Sequence, residues 1–336
     1  MHRIKLIVLT GILILLLSAC GKKEETVSFF AMDTYMSLRA YGCDGALLQE
    51  LMQEVGQLEA TLSVTRPESA LYRLNETGVL ENPAARVREL VEKALQLCLE
   101  TDGALDVTLY PLVKEWGFPT KEYRVPAPEK IQQLLDLVDY RRISLSPDAI
   151  RLQKGMALDL GSIAKGYTGD LLTARLREAG VQHALLDLGG NIQTIGPKPD
   201  GNLWQIGIRN PEGGDYIGVV SVQDMAVITS GGYERHFTGE DGRDYWHILD
   251  PATGYPADSG LKSVTVIGTE GWRCDGLSTA LFVMGAERAR VYWQTNSGFE
   301  LVLLTKTGQV IITEGLKDSF RLNAEDPAKL QVWSRD

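Results

Sequence analysis

The chain has 336 residues, 44% hydrophobic and 23% charged, with 34 Lys and Arg against 44 Asp and Glu for a formal charge of −10. That is globular composition, long enough for one large domain, and it shows no basic stripe of the kind that neutralises nucleic-acid phosphates. Beyond the first residues it holds three histidines, His183, His236 and His247, and no Cys-x-x-Cys pair, which argues against a zinc site of clustered histidine and cysteine.

At the N-terminus, Arg3 and Lys5 precede a mostly apolar run, Leu6 to Leu17, too short for a comfortable membrane span. Leu17-Ser18-Ala19-Cys20-Gly21 follows. Small residues before a cysteine resemble the lipobox of bacterial lipoproteins, which implies cleavage before Cys20 and lipidation of that residue. An ordinary signal peptide or an uncleaved anchor is the alternative. The division is then a signal peptide over residues 1–19, the lipidated cysteine and tether over 20–26, and a single catalytic domain over 27–336. Acyl chains would hold that domain outside the cytoplasm, in the periplasm or on the outer face of the cell membrane. Three cysteines remain. Cys98 lies in a helical apolar pattern and reads as core, while Cys43 and Cys274 have no assigned partner.

Val27 to Tyr41 reads as strand, and Leu47, Leu51, Val55, Leu58 and Leu62 carry a helix through Asp44 to Leu62. Ser69 to Asn75 is mixed. Asn82-Pro83 predicts a helix start, and Val87, Leu90, Val91, Ala94 and Cys98 form that helix's apolar face before Asp102-Gly103. A third helix spans Pro128 to Asp139, short strands fall between Ile143 and Asp159, and another helix runs from Ile163 to Ala179. Strands then follow one another from His183 to Ile267. Leu277 to Met284 and Arg288 to Gln294 are helical, and Leu301 to Thr313 is a hairpin around Thr307-Gly308. Neighbouring strands joined by short turns favour antiparallel pairing, so the class is α+β, with antiparallel sheets covered by several long helices.

Cys274-Asp275-Gly276-Leu277-Ser278-Thr279-Ala280 sets a carboxylate and a hydroxyl four residues apart, on one face of a helix. Both are hard oxygen donors suited to Mg²⁺; the alternative is a buried capping pair without metal. Asp159-Leu160-Gly161-Ser162-Ile163-Ala164-Lys165-Gly166 stands at a strand-to-helix junction, where free N–H groups and a lysine suit an anion. It matches neither the Walker A nor the dinucleotide-fold glycine pattern. Asp187-Leu188-Gly189-Gly190-Asn191 reads first as a hairpin turn. His247 lies on a strand that ends in the Pro- and Gly-rich turn Asp250 to Pro256, as a general base or as a structural histidine. Tyr72, Trp116 and Tyr233 could stack a ring or belong to the core.

Taken together these segments resemble the FAD:protein FMN transferase family, known as ApbE. The resemblance rests on Ala31-Met32-Asp33-Thr34, Ser69 to Asn75, Asp102-Gly103-Ala104-Leu105-Asp106, Pro111 to Phe118, Asp159 to Gly166, Asp187 to Asn191, Thr229-Ser230-Gly231, His247 to Pro256 and Asp275 to Thr279, in the family's order. It implies an ApbE-like, T-fold-related architecture. It implies a Mg²⁺-dependent enzyme that cleaves FAD and passes FMN to a Thr or Ser hydroxyl of a target protein, with release of AMP. The target would be an extracytoplasmic redox protein with an acceptor segment such as Asp-x-x-Ser/Thr-Gly-Ala-Thr.

By motif position, Met32, Tyr72, Ala104, Leu105, Asp106, Asp159 and Lys165 look like FAD contacts. Ser162, through an oxygen, and Asp275 and Thr279 look like the metal ligands. His247 looks like the base. Leu105 stands where phenylalanine is frequent, and Ser162 where glycine, alanine or threonine is seen. The alternatives are an FAD pyrophosphatase, with water in place of the hydroxyl, and a flavin-binding lipoprotein without turnover.

Overall fold

A computed structural model describes residues 23–323 and 329–335; the leader and Cys20 lie outside them. Among the described residues no helix is long and apolar enough to cross a membrane.

The first segment is a hairpin and not one strand. β1 (Glu24–Ala31) and β2 (Thr34–Tyr41) pair antiparallel, with Ala31 opposite Thr34. Met32 and Asp33 make the turn at φ 48° and 62°. Positive φ at both central positions is what a tight hairpin turn requires, and it usually draws glycine. No glycine stands there to announce it.

Helix α1 (Gly45–Leu62) starts on Asp44, whose side chain accepts from the Ala46 amide. The mixed stretch after it is helix α2 (Ala70–Thr77), capped by Ser69 on the Tyr72 amide and closed by Gly78 at φ 75°. β3 (Val79–Glu81) and α3 (Ala85–Glu100) follow; α3 begins after Pro83 and has no side-chain cap. Next come α4 (Tyr110–Glu115), α5 (Pro128–Leu135), β4 (Ser144–Leu145), β5 (Ala149–Arg151) and α6 (Gly161–Glu178). The strand-rich part is β6 (Ala184–Leu188), β7 (Ile192–Ile195), β8 (Trp204–Arg209), β9 (Tyr216–Val222), β10 (Ala226–Gly231), β11 (His236–Thr238), β12 (Asp244–Trp246) and β13 (Leu261–Gly268). Helix α7 (Gly271–Thr295), β14 (Phe299–Thr305), β15 (Val310–Thr313), β16 (Phe320–Leu322) and β17 (Leu330–Trp333) complete the chain.

Nine strands form the main sheet in the order β1-β2-β6-β7-β10-β13-β14-β15-β17. The pairings along it are antiparallel except β15 with β17. Its central strands are buried on both faces. Val264, Val266, Leu301 and Leu303 cluster with Leu90, Ile163 and Leu277 of α3, α6 and α7. Ile267, Val302 and Leu304, one residue out of phase, cluster with Trp204, Ile206 and Val220 of the small sheet β16-β9-β8. The result is three layers, helices on a large sheet on a small sheet, in agreement with the α+β class. Each fully buried aliphatic side chain contributes about 1.5–3 kcal/mol of transfer free energy.

Helix α7 is broken at Gly285, φ 77° and ψ 171°, so the two helical stretches predicted around it are both present. The first starts six residues earlier than its apolar spacing predicts, which brings Asp275 inside the helix.

Candidate active site

Helices α6 and α7 cross where Gly166 meets Gly271. A Cβ on Gly166 would overlap the Gly271 carbonyl and fall 2.7 Å from Asp275 Cβ, so only glycine permits this approach. Gln193 of β7 donates Nε2 to the Gly166 carbonyl at 2.9 Å. Asp170, one turn along α6, accepts the Gly271 and Trp272 amides at 2.7 and 2.8 Å. It thereby caps α7 from outside, since Glu270 makes no side-chain cap bond. Burial pushes Asp170 up to about 6, against the pull of those two amides.

This crossing positions the metal candidates. Asp275 is buried, and its Oδ2 accepts the Gly166 N–H at 2.8 Å. Burial raises its pKa, and the nearby Lys165 charge and Gly166 amide oppose the rise. Asn191 also favours the charged carboxylate, although its Nδ2 is buried without a hydrogen-bond partner. Thr279, one turn on, lies 3.2 Å from Ser230 Oγ of β10. Ser230 is 2.7 Å from Ser278 Oγ, and Ser278 donates to the Asp275 carbonyl at 2.8 Å. Ser162 sits in the first turn of α6. In a regular helix its carbonyl would take the Gly166 amide, the same amide that turns to Asp275.

These three residues offer a carboxylate, a hydroxyl and a carbonyl, all hard oxygens, and they fit Mg²⁺. Among the described residues no group of three or more His, Cys, Asp or Glu could hold a metal. A cation here would therefore use the mixed oxygen set. A buried carboxylate offset by one lysine and one amide is costly, and a divalent cation relieves that cost.

Lys165 is the electrostatic centre. Its charge favours ionised Asp275 and Asp159 and opposes protonation of His247. Asp159 Oδ1 accepts the Gly161 amide at 2.8 Å, and the Asp159 amide donates to the Val107 carbonyl at 2.9 Å. Beside it, Asn75 pairs with both backbone groups of Leu158 at 2.8 and 2.7 Å. These bonds stitch α2, which carries Tyr72, and the 104–108 segment to the start of α6. Tyr110, pushed up to about 12 by burial, is also raised by the charge of Asp159 and by Tyr72. Asp106 accepts Thr108 N and Oγ1 at 2.8 and 2.6 Å and Tyr140 N at 3.1 Å, so its carboxylate is engaged within the protein. Ala104 and Leu105 are buried beside it.

His247 follows β12. Its amide donates to the Arg235 carbonyl at 3.1 Å, and its Nδ1 is buried without a partner. Burial first, then the charges of Arg235 and Lys165, pull it down to about 3, which leaves a neutral imidazole at ordinary pH. Phe118 meets the ring edge-on at 6.3 Å. Met32, in the hairpin turn, places its sulfur 4.0 Å from Thr168 Oγ1 on α6. Trp116 is core: it is fully buried and its indole N–H donates to the Gly254 carbonyl at 3.0 Å.

The fold thus gathers Met32, Asp159, Ser162, Lys165, His247, Asp275 and Thr279 around the first two turns of α6. Tyr72 and Ala104 to Asp106 are tied to the Asp159 segment by the Asn75–Leu158 and Asp159–Val107 bonds. Asp170 and Arg235 escape the sequence reading. Asp170 caps a helix distant in sequence, so no local pattern marks it. Arg235 pairs with Asp33 at 3.3 Å and acts on Asp159 and His247, three partners scattered along the chain. Its one local signal is the Gly231-Gly232 pair where β10 ends, just before it.

Known proteins share this arrangement of segments. A profile of the ApbE family matches residues 32–303, a span that contains every site residue above. The chain is 35% identical over 298 residues to the FAD:protein FMN transferase of Treponema pallidum (strain Nichols), covering 82% of each chain. It is 33% identical over 290 residues to that of Klebsiella pneumoniae (strain 342), covering 84% of this chain and 89% of the relative. The crystal structure of the ApbE protein of Thermotoga maritima MSB8 aligns with a TM-score of 0.82 at 30% identity, over 88% of this chain and 98% of that one. On fold, segment order and these likenesses, the chain belongs to the ApbE family.

Proposed function

We propose that this chain is an FAD:protein FMN transferase that moves the FMN half of FAD onto a Ser or Thr hydroxyl of a target protein and releases AMP. The observation that carries the reading is a His247 whose buried Nδ1 has no partner, together with a buried Asp275 held on the α6–α7 crossing by the Gly166 amide, both under the charge of Lys165.

In the step, the acceptor oxygen bonds to the FMN-side phosphorus of the pyrophosphate. The P–O bond to the AMP phosphate breaks, and AMP leaves with its electron pair. The hydroxyl proton goes to His247. A neutral hydroxyl is a poor nucleophile, and a positioned base is typically worth about 10²–10⁴ in rate. Lys165 meets the pyrophosphate charge. Met32, Tyr72, Ala104, Leu105, Asp106 and Asp159 frame FAD. The Ser162 carbonyl, Asp275 and Thr279 would hold Mg²⁺, which when bound neutralises phosphate charge and eases the departure of AMP.

The test is product analysis with FAD, Mg²⁺ and a carrier protein bearing an Asp-x-x-Ser/Thr-Gly-Ala-Thr segment. The expected result is Mg²⁺-dependent flavin fluorescence on the denatured carrier, with the mass gain of FMN. Free FMN and AMP without labelling would replace transfer by FAD pyrophosphatase activity. Intact FAD released on denaturation would reduce the protein to a flavin-binding lipoprotein.

The reading also tethers the domain outside the cytoplasm through acylated Cys20, on the support of the basic start, the short apolar run and the cysteine position. Fatty-acid labelling should disappear in Cys20→Ala, with release from the membrane fraction; a variant that keeps its label and its membrane association would contradict it.

A further inference from the structure

We propose that the exposed aromatic rim at the mouth of the site, Phe30, Tyr35 and Tyr123, is the docking surface for the acceptor protein. The inference rests on the transferase reading.

The β1–β2 hairpin alternates cleanly. Val27, Ala31, Met36, Leu38 and Ala40 face the core. Along the outward face run Thr26, Ser28, Ser37 and Arg39, with half-buried Tyr41 at the far end, up to the last outward pair before the turn. There Phe30 and Tyr35 stand directly opposite each other, 70% and 66% exposed. Neither fills the core. A cross-strand pair gains only about 0.2–1 kcal/mol, and adjoining exposed aromatics mark interaction surfaces.

Their location identifies the partner. The turn between them holds Met32 and Asp33, and Asp33 pairs with Arg235 at 3.3 Å and Lys121 at 3.9 Å. Two residues past Lys121, Tyr123 stacks on Phe237 at 5.1 Å and 6°. Phe237 lies on β11, whose partner β12 runs directly into His247. The hairpin turn and Tyr123 are thus linked, through Arg235 and through β11 and β12, to the segment that carries the base. FAD, framed in that reading by Met32, Tyr72, Ala104 to Asp106 and Asp159, leaves the outward-facing Phe30 and Tyr35 without a role. A folded acceptor that must deliver a hydroxyl to His247 lays its surface against them. Lys121 and Arg235 both pair with Asp33, and Arg235 also acts on Asp159 and Glu234, so the hairpin turn is tied by charge to the site itself.

The test compares the intact protein with the double variant Phe30→Ser/Tyr35→Ser, using FAD, Mg²⁺ and the carrier protein. FAD affinity by fluorescence quenching reports an intact floor; Tyr123→Ser is a second variant on a different segment. The expected result is a KM for the carrier raised about 10-fold or more, with kcat at saturating carrier and FAD affinity unchanged. An unchanged KM in both variants, while the wild type labels the carrier, would overturn the docking surface and leave the transferase reading standing. A wild type that labels no carrier would remove that reading and the inference with it. A wild-type dimer that the double variant splits, with carrier KM unchanged, would assign the rim to a second copy instead.

Discussion

At the α6–α7 crossing, polar groups are buried and tied by short bonds within the chain: Gly166 N–H to Asp275, Gln193 to the Gly166 carbonyl, Asp170 to two α7 amides. At the mouth, Asp33, Lys121 and Arg235 meet through side chains roughly half exposed or more, at 3.3–3.9 Å, on loops and hairpin ends. Exposed ion pairs of that kind are worth about 0.2–1 kcal/mol and weaken with salt, whereas an unpaired buried polar group costs more. The floor therefore fixes the reacting atoms. The mouth is free to adapt to a partner, and the two should fail in different ways.

The largest break is Asp275→Ala at the floor. Metal-dependent turnover should fall by more than the ~10–100-fold that loss of an outer partner costs. A Mg²⁺ titration of FAD turnover checks this, and full activity at limiting Mg²⁺ would refute the metal role. Next is Gly166→Ala, which forces the helices apart. Overpacking of this kind costs about 1–3 kcal/mol, and transfer should fall along with the melting temperature. Asp170→Ala should cost about 0.5–2 kcal/mol, as loss of a helix cap does, and Asp170→Asn, which keeps one accepting oxygen, less.

The Asp170 change also has a pH signature. Its folded pKa is raised to about 6 from 3.8, so the native state holds the extra proton between those values. Stability from this group is complete below the lower value and is lost as pH rises to the upper one. Melting curves of wild type and Asp170→Asn should differ in slope across that window and run parallel above it. The smallest effect is Asp33→Asn at the mouth: under about 1 kcal/mol in stability, with a change in the salt dependence of transfer.

The same contrast explains what the sequence reveals. Asp275 and Thr279 are legible because helical spacing puts them on one face, and the surrounding segments resemble the family in order. The apolar face of α3 is legible for the same reason. The start of α7 is not, because its cap comes from Asp170 on another helix. Asn82-Pro83 looks like a cap followed by proline, yet α3 starts after it, with Asn82 itself at φ 46°. Ser69 caps a helix too short to show a period. The Met32–Asp33 turn hides because non-glycine residues adopt positive φ there. Arg235 is invisible because its partners meet only in the folded chain.

The most direct test of the account is His247→Ala, with FMN transfer to the carrier in a single turnover and FAD affinity measured on the same preparation. The expected result is a transfer rate lower by about 10²–10⁴ with FAD affinity unchanged. Transfer at the wild-type rate would show that the proton leaves by another route, and would remove His247 from the mechanism.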